Sequence, residues 1–375
     1  MKHLLLLGGG HSQVEVIRRF GLQPPHHVRT TLVSPGRYAL YSGMLPGFVA
    51  GHYGFHDCHI DLEQLCDASG VEFRRSTAIG IDAAANRVSC EDGSVLGYDV
   101  LSIDIGSTPE TDSVPGALDH AIRVKPVSGF IGVWDRIIDA GKTGQPPLRI
   151  AVVGGGAGGV ELTLAMHYRL HAQNGTAEFH LISDTATILP GFPAGVRHIF
   201  ERVLSERSIV IHSHSRVTRV GHGVLYRDSG SPLQADHIIW ATAAGAPRWL
   251  AAGGVKTDAR GFVAVNDALQ SVSHPRVFAA GDIAGMVNHA LPKSGVYAVR
   301  EGPPLAENLR RVLAGQPLCD YAPQKITLAL ISTGDRYAIA SYGKLVLESK
   351  WVWRWKDHID RRFMTKYNRP PHKSQ

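Results

Sequence analysis

The 375-residue chain is 44% hydrophobic and 19% charged, the balance of a globular protein with room for two or three domains. Its formal net charge of +6 suits an anionic ligand or a membrane surface, and is too small and too dispersed to indicate nucleic acid. No run of about 18 apolar residues exists to form a transmembrane helix, and neither the four cysteines nor the 20 histidines are spaced as metal ligands or a disulfide framework.

The first element is LLLLGGGHSQVEVIRRF, residues 4–20. Four leucines meeting three glycines and an amphipathic segment predict a buried parallel strand that turns into a helix around a phosphate. Gly8 and Gly10 hold the first two positions of a Gly-x-Gly-x-x-Gly fingerprint, but Gln13 stands at the third, where a side chain would hold helix and sheet slightly further apart. His11 and Ser12 are candidate phosphate donors at the helix start; for Ser12 a plain N-cap is the other reading. The second strand, TTLVS, ends at Ser34, where the fingerprint expects a carboxylate for a ribose. Arg37 and Tyr38 follow, placed either to touch an adenosine or to lie on the surface. The leucine run is too short for a signal peptide, so a cytoplasmic location is expected.

A second and complete fingerprint lies in RIAVVGGGAGGVEL, residues 149–162. Gly154 permits the tight turn, Gly156 admits a pyrophosphate, and Gly159 lets helix and strand pack closely. One such cluster is weak evidence; two in one chain, each between a predicted strand and helix, predict two dinucleotide sites. The strand EFHLIS ends at Ser183, followed by Asp184, candidates for the ribose hydroxyls. No arginine follows Ser183 directly to meet a 2′-phosphate, which favours NADH over NADPH. Glu161, in the first helical turn, is either a carboxylate favoured by the helix dipole or a group of the site itself.

Later segments carry a resemblance. HPRVFAAGDIA (residues 274–284) resembles the second flavin fingerprint of the two-dinucleotide-binding flavoprotein reductases. YDVLSIDIGSTP and DHIIWATAAGAP resemble the Ala-Thr-Gly strands that close each dinucleotide domain, in degenerate form: Asp104-Ile105-Gly106 and Ala241-Thr242-Ala243. The chain is most similar to type II NADH dehydrogenases and sulfide:quinone reductases of the pyridine nucleotide-disulfide oxidoreductase superfamily. HSQVEVIRRF, YSGMLPGFVAGHY, LSIDIGSTP and KSGVYAVREGPPLAENL resemble the flavoprotein module associated with selenide, water dikinase. The resemblance implies an α/β chain with two Rossmann-like domains, an FAD domain carrying an inserted NAD(H) domain, and a small C-terminal α+β domain. It implies these bounds: residues 1–120 and 263–318 for FAD, 121–146 as connection, 147–262 for NAD(P)H, and 319–375 for an interface or acceptor unit.

It also implies roles. Asp282 bonds the ribityl chain of FAD, and the helix beginning near Ser294 and Gly295 points its N-terminus at the flavin's pyrimidine end. Lys293 adds a charge there or is simply solvated. Glu161 lies near nicotinamide and flavin. Gly106 belongs to the FAD site and Ala243 to the NAD(P)H site. YSGMLPG, residues 41–47, occupies the stretch where disulfide reductases carry their redox cysteines; it has none, and Ser42 there is assigned to the flavin. The expected function is therefore hydride transfer from NADH to FAD, then electron transfer to a quinone-like acceptor without a cysteine pair. A redox-sensing flavoprotein acting on a partner, and a reductase linked to selenium metabolism, are the alternatives. In the tail, Trp351, Trp355, Ile359, Phe363 and Tyr367 recur every four residues among six basic residues. The expected stripe reads as an interfacial helix on the inner face of a membrane, a face packed on its own domain or on a second subunit of a homodimer, or a lid over the flavin.

Overall fold

The computed structural model describes residues 1–109, 111, 113–142, 146–242 and 244–368. Strand β1 (Lys2–Leu7) buries all four leucines, because both faces of its sheet are covered; a strand buried on both sides reads as a continuous apolar run. The chain turns through Gly8–Gly10 into helix α1 (His11–Leu22) and returns as β2 (Val28–Ser34), parallel to β1 with Leu4 opposite Thr30. Strand β3 (Glu72–Arg75) extends the sheet beyond β2, and β4 (Val100–Ile103) pairs with the other edge of β1. Strand order therefore reverses between β1 and β4, which opens a crevice at their carboxyl ends, where Gly8 and Asp104 lie.

The second unit repeats this arrangement. Strand β5 (Leu148–Val153) leads through Gly154–Gly156 into α2 (Ala157–His171), then β6 (Ala177–Ile182) and β7 (Val210–His212). Strand β8 (His237–Trp240) pairs with the far edge of β5, so the second reversal falls between Val153 and Trp240. Strand β9 (Val277–Ala279) then returns to the first sheet beside β4, with Val277 opposite Leu101. Helix α3 (Gly295–Ala314) packs on α1; a β-carbon on Gly302 would press into the Glu15 side chain, so a glycine allows this approach.

The C-terminal meander β10 (Ala329–Ser332), β11 (Ala338–Tyr342) and β12 (Leu345–Ser349) ends in helix α4 (Lys350–Asn368). Ile331 and Ile339 of the meander join the core of the second unit, whereas Met364 and Tyr367 of α4 join the core of the first. The chain is thus α/β with two Rossmann-like sheets, and the C-terminal α+β element bridges them.

The tail stripe differs from the expectation. Trp351, Trp355 and Ile359 are exposed, but Phe363 packs face to face on Tyr41 at 4.2 Å and Tyr367 is buried. Four-residue steps advance about 40° each around a helix, so a stripe spanning four steps turns nearly to the opposite side. The aromatic stripe of residues 351–367 is therefore not one outward face: its first members look out and its last members look in.

Candidate active site

The first turn is held against the end of β4. Gly8 has φ +89°, and a β-carbon there would overlap the backbone of Asp104 and Ile105. Gly10 is the N-cap of α1 and receives no side-chain cap; a β-carbon on it would overlap the Asp104 carboxyl. That carboxyl accepts from the amides of Ser12 at 2.9 Å and Gln13 at 3.2 Å. The Ser12 hydroxyl, expected to face a phosphate, instead donates to the Ala298 carbonyl at 2.6 Å and ties α1 to α3. Gln13 is fully buried, and its amide donates to the Ser102 carbonyl at 2.7 Å, so the side chain replacing the third glycine binds β4. His11 accepts from the Ser42 amide at 3.3 Å with its ring 5.3 Å from Tyr41, and desolvation lowers its pKa to about 4. A glycine-lined helix start at a strand reversal fits a dinucleotide pyrophosphate, although the Asp104 carboxyl already takes the amides of Ser12 and Gln13.

Around the expected flavin end, Asp282 accepts from Lys125 at 2.9 Å and from the Ser107 hydroxyl at 3.0 Å. Burial raises its pKa, but the lysine and the hydroxyl outweigh that and hold the carboxyl below its ordinary value. Ser294 is the N-cap of α3, and a β-carbon on Gly295 would stand 2.7 Å from the Ser42 hydroxyl, which brings these three residues together. Lys293 donates to the Ala284 carbonyl and lies 4.1 Å from the Phe262 ring centroid, so it is anchored rather than freely solvated; desolvation lowers its pKa. Gly106 has φ +70° and open space beyond it. Ser34 closes β2 in a buried position, while Arg37 is exposed and paired with Asp61 at 2.7 Å and Glu63 at 3.1 Å.

In the second turn Gly154 has φ +130°, and a β-carbon on Gly159 would overlap the Gly154 carbonyl; Gly156 has open space in front of it. A cavity of about 960 Å³ joins this turn, Glu161, Ser183 and Asp184 to Ser42, Lys125, Asp282 and Lys293. Glu161 accepts from the Ser332 amide at 2.7 Å. Desolvation raises its pKa, Lys356 and Ser332 oppose that rise, and Asp360 adds to it. Ser183 bonds Thr185 across 2.8 Å and abuts Gly155, while Asp184 is exposed at the rim. Ala243 lies outside the described residues.

A family model for pyridine nucleotide-disulphide oxidoreductases matches residues 2–302. The chain belongs to that family. This oxidoreductase is 23% identical to the NADH dehydrogenase-like protein YutJ of Bacillus subtilis, over 96% of the chain and 99% of the relative. It is 21% identical to the type II NADH:quinone oxidoreductase of Staphylococcus saprophyticus, with 85% of each covered. Among solved structures, the sulfide:quinone oxidoreductase of Aquifex aeolicus superposes with a TM-score of 0.82 at 19% identity, covering 98% of this chain and 92% of that one. NDH2 of Plasmodium falciparum, in complex with NADH, gives 0.79 at 15% identity, covering 98% and 99%. The protein is an FAD-dependent oxidoreductase that works with a pyridine nucleotide.

Several residues of this oxidoreductase's cleft escaped the sequence reading. Lys125 follows no motif and reaches Asp282 only through the fold. Lys356 and Asp360, on the inner side of α4, form a buried pair at 2.7 Å, and Lys356 also donates to the Gly43 carbonyl at 2.6 Å. Arg216 lines the same cavity as Asp184, though it is 32 positions further along the chain. Asp104 did leave a signal, the departure of Asp-Ile-Gly from Ala-Thr-Gly. The four cysteines are unpaired; burial pushes the Cys58 and Cys66 thiols up to about 12, which makes both poor nucleophiles.

Proposed function

We propose that this protein oxidises NADH through FAD and passes the electrons to a quinone-like acceptor without a cysteine pair. The observation that carries the reading is the single cavity shared by the Gly154–Gly159 turn and by Asp282, Lys293 and Ser42. Two nucleotides entering from the two strand reversals would meet inside it. Bound FAD supplies hydride acceptance and onward electron delivery.

The chain's own groups bind and orient. Gly8, Gly10 and the amide of His11 receive the FAD pyrophosphate, Ser34 and Arg37 flank the adenosine, and Asp282 takes the ribityl hydroxyls. The N-terminus of α3, at Ser294 and Gly295, gives positive potential beside the flavin with Ser42, Gly106 and Lys293. Gly154, Gly156 and Gly159 hold the NADH pyrophosphate, with Ser183 and Asp184 at its ribose, and Glu161 lies near the nicotinamide as the proton-handling group. The FAD domain comprises residues 1–120 and 263–318, and the NAD(H) domain residues 147–262.

A quinone acceptor brings the enzyme to a bilayer. No helix among the described residues is long and apolar enough to cross one. Trp351, Trp355 and Ile359, exposed beside Lys350, Arg354 and Arg362, support peripheral contact through the first half of α4. The test is anaerobic mixing of holoprotein with NADH, followed by a soluble quinone. Bleaching of the flavin and rapid return of its colour are expected; a flavin that stays oxidised over minutes defeats the reading.

A further inference from the structure

The end of β4 carries a group that the expected roles leave unused. Asp104 stands in the Asp-Ile-Gly segment that takes the place of an Ala-Thr-Gly strand end. Its carboxyl is 2% exposed and sits between the two glycine turns that face the FAD site. A β-carbon on Gly10 would overlap it, and one on Gly281 would stand 2.5 Å from its Oδ1, so both turns are glycine where Asp104 passes. It accepts the second and third amides of α1, while its own backbone carbonyl takes the Gly10 amide at 3.2 Å. Helix N-terminal amides are the donors that a phosphate uses. An internal carboxyl therefore engages part of the anion-binding apparatus that a pyrophosphate needs.

We propose that Asp104 is a built-in competitor of the flavin pyrophosphate, which sets how tightly the first nucleotide site holds FAD and makes that grip loosen in alkaline solution. The inference rests on the assignment of residues 8–12 to the FAD pyrophosphate. A neutral carboxyl at this point shares the helix start with a phosphate. An ionised one repels the phosphate through a poorly solvated gap and holds the Ser12 and Gln13 amides more strongly.

The charges around Asp104 come from three elements. Glu301 of α3 accepts from the Gly281 amide at 2.6 Å, Asp282 follows β9 and is paired with Lys125, and α1 contributes its dipole and the neutral His11. Burial, joined by Glu301 and Asp282 and opposed by the two α1 amides, pushes the Asp104 carboxyl up to about 8. Burial likewise pushes Glu301 up to about 7. The sign follows from linkage. A pyrophosphate raises the pKa of a neighbouring carboxyl further, so FAD binding takes up a proton above about pH 8, and its dissociation constant rises by up to about tenfold per pH unit.

The experiment is FAD titration of the apoprotein by flavin fluorescence quenching, from about pH 6.5 to about pH 9.5. In the native protein the dissociation constant should be flat below about pH 7.5 and rise about tenfold or more by the alkaline end. D104N should bind FAD with an affinity that no longer falls there; D104A, which removes the carboxyl altogether, serves if D104N does not fold. E301Q should keep the alkaline loss. A flat native profile, an unchanged slope in D104N or D104A, or a slope abolished by E301Q overturns the proposal. Apoprotein that takes up no FAD at any pH defeats the underlying site assignment instead.

Discussion

The C-terminal helix is held to the first nucleotide-binding helix by one buried carboxylate, and replacing Glu15 with glutamine should release it. Glu15 is 1% exposed in its side chain and accepts from Arg18 at 3.0 Å, Arg19 at 2.7 Å, Lys366 at 2.7 Å and the Tyr367 hydroxyl at 3.0 Å. Burial alone would push the carboxyl up, but the bonds from Arg18, Lys366 and Arg19 hold it at about 2, against an ordinary 4.5. That difference corresponds to about 3 kcal/mol favouring the charged form. Arg18 and Arg19 lie on α1 itself and Lys366 is about two-fifths exposed, so the part of this that ties down α4 is about 1 kcal/mol. Glu15→Gln keeps the shape and loses the charge, so amide hydrogen exchange in residues 360–368 should quicken by about fivefold. Tyr367→Phe removes one hydrogen bond and should quicken it by about fivefold. The pKa of Glu15 is depressed in the folded chain, so its contribution is complete above about pH 4.5 and disappears as the pH falls towards about 2. If the tail's exchange in Glu15→Gln stays within a factor of two of the parent at neutral pH, the carboxylate is not what holds α4 in place.

Gly156→Ala should leave the thermal midpoint unchanged and raise the apparent KM for NADH at least about tenfold, because a β-carbon there meets no protein atom but faces the incoming pyrophosphate. Gly159→Ala should instead cost about 2–3 kcal/mol or more of stability, since its β-carbon overlaps the Gly154 carbonyl; equal effects of the two changes on melting would contradict the packing argument. Asp184→Ala removes a rim carboxylate from the cavity that Arg216 also lines, so kcat/KM for NADPH should rise about fivefold relative to NADH; an unchanged ratio would remove Asp184 from ribose recognition. Trp351→Ser with Trp355→Ser should reduce sedimentation with anionic vesicles about tenfold or more without altering NADH oxidation by a water-soluble quinone.

What the sequence made legible, it did through local periodicity and turn chemistry. Leu4–Leu7 could be read as a strand buried on both faces, and Gly154–Gly159 as a strand-to-helix turn, because each signal sits within a dozen contiguous residues. Partners brought together only by the fold left no such signal. Lys125 meets Asp282 across 157 positions, and Glu161 meets the Ser332 amide across 171. Ser12 shows the same limit in reverse: its type and place at a helix start suggested a phosphate donor, but the approach of α3, permitted by Gly302, supplied the Ala298 carbonyl as a closer partner.

Gln13 holds more than the sequence showed, and the tail stripe went wrong for a reason of geometry. The absent third glycine was read as a steric cost between helix and sheet, yet a long side chain can lie along the neighbouring strand and donate to it, as Gln13 does to Ser102. In the tail, recurrence every four residues was read as one face. A helix has 3.6 residues per turn, so a face is kept only by alternating steps of three and four. Uniform steps of four precess, and α4 uses the precession. Its outer aromatic residues at 351 and 355 remain available to a surface, while those at 363 and 367 reach Tyr41 and Glu15 beside α1. One pattern of side chains thereby joins an exposed apolar face to the helix that begins at the Gly8–Gly10 turn, through Glu15, which lies about one helical turn from the amides that Asp104 engages.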